Sequence, residues 1–297
     1  MLIDAHIHIW NRDMLPDEAI RNYLEPIRKF KELYGDVFDF GLDDEVPFAD
    51  YDSTKEGLSE MMDCANLDYA AVLATDFGLV NEGRMTNDEY MAWLYEQCQV
   101  DERLLLFAGV DFNRKNAIEL LDRYYDQYEP AGLKVYPASG FYPHEGRYDA
   151  IWNKIDDLGL PVTLHAGMAL APLDEKYCHP SYMRSVAEKH PDTTFIIAHL
   201  GGKFHDELFP LMEACDNVYT DCSALQGWFP DMDMIRKRLD DVTSRFPDRV
   251  VFGSDFPLYE NHTTCSKFIS LIREMDFGND RIKDALLGGN MARILNI

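Results

Sequence analysis

The sequence predicts an α/β fold: a single (β/α)8 TIM barrel over residues 1–297, with a long insertion after the first strand. Three observations predict it. Eight short, mostly apolar runs recur along the chain. From residue 69 onward they alternate with amphipathic stretches about thirty residues apart, the rhythm of βαβ units. Each run is apolar along most of its length, as strands covered on both faces are. No Pro-, Gly- or Ser-rich linker, low-complexity tract or shift in composition divides the chain, so one domain is expected.

LIDAHIHI is the first strand. Residues 10–68 then break the rhythm, with helices expected over 16–34 and 53–66 and the acidic segment YGDVFDFGLDDEVPFADYD between them. A connection this long is commonly functional, so residues 36–52 are expected near the barrel mouth and more mobile than the strands; a solvated surface insertion is the alternative. The other strands are YAAVLAT (69–75), LLLFAGV (104–110), GLKVYP (132–137), LPVTLHAG (160–167), TTFIIAHLGG (193–202), NVYTDCS (217–223) and RVVFGSDFP (249–257). Helical segments include 87–100, with Asn87 or Asp88 as the expected N-cap, 116–128 and 232–246. The closing DRIKDALLGGNMARILNI carries a Gly-Gly pair that should break or kink its helix.

Composition narrows the function. A formal charge of −25 disfavours nucleic acid and anionic membranes, which need a basic footprint. Six scattered cysteines without a C-x-x-C pair fit neither a disulfide framework nor a zinc ribbon. There is no apolar run of about 18 or more residues, and the N-terminus lacks a basic segment leading into an apolar one, so a cytoplasmic protein with a small-molecule substrate is expected.

The chemistry gathers at the strand ends. With a period of two, His6 and His8 point the same way, about 6–7 Å apart, and Asp4 is expected to point with them one step deeper. At the C-terminal ends of barrel strands, sequence-distant groups meet at one mouth. Those ends supply His6, His8, Lys134, His165, His199, Asp221 and Asp255. Four of the nine histidines thus fall at strand ends, more than core histidines alone would explain. Neutral imidazoles with one carboxylate suit a zinc-like divalent ion and leave a position open for water. Such an ion makes water acidic and polarises a carbonyl, and Asp255 could both bind it and take a proton.

DAHIHIW, LHAG, IIAHLGG and VVFGSDFPL, in this order, resemble the strand signatures of the amidohydrolase superfamily. They are most similar to the amidohydrolase-related family that includes aminocarboxymuconate semialdehyde decarboxylase, resorcylate decarboxylases and sugar and muconate lactonases. The resemblance implies His6, His8, His165 and Asp255 as ligands of one zinc ion, and His199 as an acid/base group or the ligand of a second metal. GLKVYPASG resembles the fourth strand of dihydroorotases, where the lysine is carbamylated and bridges two metals. In other relatives the lysine contacts substrate and the site is mononuclear. Lys134 is read here in the mononuclear way, with the binuclear site as the alternative. Trp10, Tyr136 and Arg147 are candidate substrate contacts, followed by His144 and Arg184, and Asp221 is read as a support. Relatives commonly form homodimers.

The leading function is metal-dependent hydrolysis of a lactone or amide, with His199 and Asp255 moving protons. The alternative is non-oxidative decarboxylation of an aromatic or unsaturated acid by the same ligands; a non-catalytic metal-binding barrel ranks below both. Arginines turned into the mouth would favour an acid substrate, and neutral polar lining a lactone.

Overall fold

A computed structural model describes residues 1–14, 55–79, 82–169, 172–228, 232–259 and 263–297. Of the two helices expected in the insertion, the second is present as Lys55–Ala65. The first, and the acidic segment 36–52 with its expected place at the mouth, lie outside the described residues.

Eight parallel strands run in sequence order: β1 (Ile3–Ile7), β2 (Tyr69–Leu73), β3 (Leu104–Gly109), β4 (Gly132–Val135), β5 (Val162–Leu164), β6 (Phe195–Ile197), β7 (Val218–Asp221) and β8 (Val250–Val251). The β8–β1 seam is closed by Ala5 N to Phe252 O (2.8 Å), Asp255 N to His6 O (2.8 Å) and His8 N to Phe256 O (2.7 Å). Together with the helices between the strands this is a (β/α)8 TIM barrel. Several strands are shorter than the apolar runs that announced them, because the last residues of each run leave the ladder to build the mouth. His165 lies one residue beyond β5, and His199 and Asp255 lie further past β6 and β8.

Side chains sort into two layers. Ile3, Ala5, Ala71, Leu73, Phe107, Ile196 and Val251 fill the barrel interior, with Met291 of the last helix beneath them. Gly132 leaves room for the Phe107 ring, which a Cβ there would meet at 2.2 Å. The opposite strand faces, such as Ala70, Val72 and Ile7, pack against the helices.

β1 departs from regular alternation. Its partners on β2 step from Ile3↔Tyr69 and Asp4↔Ala70 to Ile7↔Val72, so β1 holds one residue more than its neighbour, a β-bulge between Asp4 and Ile7. Ile3 and Ala5 face inward before it; His6 and His8 face the site after it, and Ile7 joins the outer layer. The expectation that Asp4 points with the two histidines is therefore corrected. Asp4 lies outside the barrel wall, where its Oδ1 accepts His6 N and Ser254 N, both at 3.0 Å, and Oδ2 lies 3.7 Å from Cys265 Sγ. One carboxyl satisfies the N–H groups that the irregular seam leaves over.

The N-cap of helix Asn87–Cys98 is also corrected, from Asn87 or Asp88 to Thr86. Its hydroxyl accepts Glu89 N while Glu89 Oε2 accepts Thr86 N at 2.8 Å, a reciprocal capping box. Asn87 turns inward instead, donating to Gly109 O and Tyr124 Oη. At the C-terminus the Gly-Gly pair does interrupt the helix: Asp280–Asp284 and Asn290–Leu295 flank a wider turn over Ala285–Gly289. A Cβ on Gly288 would meet Met1 O at 2.5 Å.

The bulge makes a quantitative demand on Asp4. Asp4→Ala leaves two buried N–H groups unpaired, at about 1–3 kcal/mol each, so denaturant unfolding should show a loss of roughly 2–5 kcal/mol. Burial raises the Asp4 carboxyl to about 7, so a neutral acceptor suits the position. Asp4→Asn should retain most of the stability; equal losses in the two variants would contradict this account.

Candidate metal centre

His6 Nε2, His8 Nε2 and Asp255 Oδ1 form a triangle with edges of 3.2, 3.5 and 3.4 Å. A tetrahedral ion with bonds of about 2.1 Å sets its ligand atoms roughly 3.4 Å apart, so the triangle has the size of one tetrahedral face.

Hydrogen bonds behind the triangle fix which nitrogens face it. His8 Nδ1 lies 2.9 Å from Leu73 O, which can only accept. His6 Nδ1 lies 2.8 Å from Asp221 Oδ2, a carboxylate oxygen. Both rings therefore carry their proton on Nδ1, and both Nε2 atoms present lone pairs to each other and to Asp255. Three acceptors face one another at this spacing, an arrangement that a cation satisfies. The residues present fit a divalent ion.

Electrostatics keeps them in ligand form. Burial, with the nearby Lys134 next in importance, pushes His6 down to about 3. His165 and His199 are also lowered, chiefly by burial, so these rings are neutral at pH 7. Burial alone would raise Asp255, but the His8 contact and the neighbouring His199 and His6 outweigh it and hold the carboxyl well below its usual range. Asp221 is held low in the same way, by His6, His199 and Ser223.

The triangle has close neighbours. His165 Nε2 lies 3.0 Å from Met168 O, so its Nδ1 is the acceptor, and it stands 3.3 Å from His199 Nε2. Lys134 Nζ is 3.3 Å from His6 Nε2. It is fully buried, which lowers its pKa to about 8. His199 and Asp255 both take left-handed backbone, with φ of 59° and 61°. Left-handed non-glycine residues tend to mark functional sites. Here the turns bring a side chain from beyond the strand end back over the mouth.

The substrate candidates separate. Trp10 stacks on His8 at 5.0 Å, and Tyr136 stacks on His165 at 4.3 Å. Arg147 is not brought to the cluster: its exposed guanidinium pairs with Glu145 and lies over the Tyr148 ring. Arg184 pairs on the surface with Glu188, and exposed His144 packs against Tyr142 and Tyr182. Arg114, buried beyond β3, is held by Asp76 and Glu82. Among the described residues Lys134 is the cation in hydrogen-bond contact with the cluster.

Sequence reasoning missed Ser223 and Gly253. Ser223 Oγ contacts Asp221 Oδ1 and lies 2.7 Å from His199 Nδ1. Its signal was available, since Asp221 and Ser223 are two residues apart at a strand exit, the spacing already read in His6 and His8. A Cβ on Gly253 would meet His6 Cβ at 2.8 Å and Ser223 Cβ at 3.0 Å, so only glycine lets the seam close over them.

The fold and site together define a TIM barrel whose C-terminal strand ends carry histidines and aspartates fit to hold a divalent metal. The family model for amidohydrolases (Amidohydro_2) matches residues 3–297, and the chain belongs to that family. Three solved structures with TM-scores of 0.67, 0.64 and 0.63 share its fold at 14%, 14% and 16% identity. They are a probable 2-pyrone-4,6-dicarboxylic acid hydrolase from Acinetobacter baumannii with citric acid bound, 5-carboxyvanillate decarboxylase from Sphingomonas paucimobilis, and a Burkholderia multivorans amidohydrolase with bound zinc. Each match covers 100% of this chain and 99% of the other. No curated protein sequence matches the chain. No helix among the described residues is long and apolar enough to cross a membrane.

Two measurements test the centre. By elemental analysis and zinc titration, His6→Ala, His8→Ala and Asp255→Ala should lose the ion. Asp221→Ala, which removes no atom of the triangle but frees the back of His6, should weaken binding about 10- to 100-fold. The second is pH. The folded pKa of His6, about 3, lies below the unfolded value of about 6.5, so between them the unfolded chain binds the extra proton. Stability from this group is therefore lost as pH falls through that window. Relative to His6→Asn, the metal-free protein should lose about 1.4 kcal/mol per pH unit on acidification from 6.5 towards 4; parallel profiles would count against a neutral buried His6.

Proposed function

We propose that the protein is a metal-dependent hydrolase of a small organic molecule, acting on a lactone or amide through an activated water at a single zinc ion. The triangle of His6, His8 and Asp255 carries the reading, because it supplies three ligands to one side of an ion, to which His165 and a water would add as the fourth and fifth. When bound, the ion supplies a Lewis acid that polarises a carbonyl and makes water acidic at neutral pH.

The chain's own groups then have distinct tasks. Asp255, ionised, accepts the proton of the attacking water at a carboxylate oxygen. His199, neutral and with an acceptor Nε2, takes up or returns a proton at the leaving group. Lys134 stays unmodified and directs its Nζ at the substrate's developing negative charge. Trp10 and Tyr136 brace His8 and His165 and wall the pocket.

Hydrolysis is preferred to decarboxylation on one observation. Among the described residues, the arginines considered for a substrate carboxylate, Arg114, Arg147 and Arg184, are paired with Asp76 and Glu82, with Glu145 and with Glu188. Decarboxylation remains the second reading, supported by the decarboxylase of the same fold.

The test is a screen of the zinc-loaded protein against lactones, amides and aromatic acids, with His199→Gln beside it. Turnover of a lactone or amide is expected, and His199→Gln should lower kcat about 10²- to 10⁴-fold while retaining one zinc per chain. Turnover of aromatic acids alone would overturn the hydrolase reading. Two metals per chain, with bicarbonate-dependent reconstitution, would instead establish a carbamylated Lys134.

A further inference from the structure

We propose that Ser223 is the positioning residue for His199: its hydroxyl fixes the ring in the tautomer protonated on Nδ1 and so keeps Nε2 a proton acceptor. The inference deepens the proposed function, resting on its reading that His199 exchanges a proton with substrate.

Two backbone N–H groups converge on Asp221 Oδ1, which fixes that oxygen as an acceptor. Its Oδ1 receives His199 N at 2.8 Å, Ser223 N at 3.0 Å and the Ser223 hydroxyl, and its Oδ2 receives His6 Nδ1. A serine hydroxyl has one proton, and Asp221 takes it. Towards His199 Nδ1, 2.7 Å away, Ser223 Oγ can therefore only accept, so that nitrogen carries the ring's proton. A neutral imidazole has no second proton, so Nε2 is bare and faces the acceptor His165 Nδ1 at 3.3 Å, a pair of lone pairs that a cation at the cluster would satisfy. All four groups are buried, which excludes bulk water as a competing partner for Nδ1.

The same carboxylate supports His6 and, through Ser223, His199, so one buried anion sets the tautomers of a ligand and of the proton-transfer group. Ser223 Oγ also stands 3.2 Å from His6 Nδ1, wedged between the two rings. If Ser223 loses its oxygen, His199 Nδ1–H loses its acceptor, and the ring gains by moving its proton to Nε2 or by turning. Either change removes the acceptor from the side facing the cluster.

The tautomer can be observed directly. Full-length, zinc-loaded protein labelled with ¹⁵N-histidine gives long-range proton–nitrogen correlations for each ring, and the signals missing in His199→Gln identify His199. The wild type should show the proton on Nδ1. Ser223→Ala should lose that single pattern, with zinc content unchanged and kcat down about 10- to 100-fold at similar KM. Ser223→Thr, which keeps the hydroxyl, should restore the pattern. A wild-type ring protonated on Nε2 would overturn the proposal even if the variants fail to fold, as would an unaltered Nδ1 pattern in folded Ser223→Ala. An Nδ1 proton in a protein that turns over none of the screened substrates supports the tautomer and removes only the hydrolase reading.

Discussion

One extra residue in β1 decides what the mouth of this barrel contains. In a regular strand the inward positions would continue from Ile3 and Ala5 to Ile7, and both histidines would lie among the helices. The bulge reverses the phase after Ala5, so an apolar floor gives way to His6 and His8 at the mouth. Such a fault leaves an N–H without a ladder partner, and Asp4 receives it together with Ser254 N from across the seam. The carboxyl that looks like a third ligand is therefore the group that allows the two true candidates to turn inward.

Above the bulge, the centre concentrates polar groups where burial penalises charge. His6, His165 and His199 answer by staying neutral, which is the form that binds a cation. Asp221 answers by accepting enough hydrogen bonds to remain ionised. Lys134 keeps a cation among them at the cost of a lowered pKa. A strongly acidic protein thus holds a buried polar cluster whose field is set by a few close neighbours rather than by its surface.

The barrel was legible because eight runs buried on both faces leave a repeated apolar signature. The histidine cluster was legible because barrel geometry converts strand-end positions into neighbours. Phase within β1 was not legible, since period-two reasoning has no term for an inserted residue, and Asp4 was assigned to the wrong side. Asn87 and Asp88 looked like caps because residue type alone does not separate them from Thr86; the reciprocal bond with Glu89 does. Arg147 has the charge to hold a carboxylate, but Glu145, two residues away, holds it on the surface. Ser223 went unread because a serine in a strand exit is common, and its meaning comes only from Asp221 and His199 in three dimensions.

The seam between β8 and β1 also bears on how this protein matures. His6 and His8 come from the first strand and Asp255 from the last, so nearly the whole chain separates the two sides of the triangle. Contacts of such sequence separation are slow to form and are absent from partly folded chains. The triangle is therefore assembled only when the ring of strands has closed, and an ion held by its three atoms would join the two ends of the sheet. A chain that has not joined its ends lacks one side of the triangle, so the candidate centre exists only in the closed barrel.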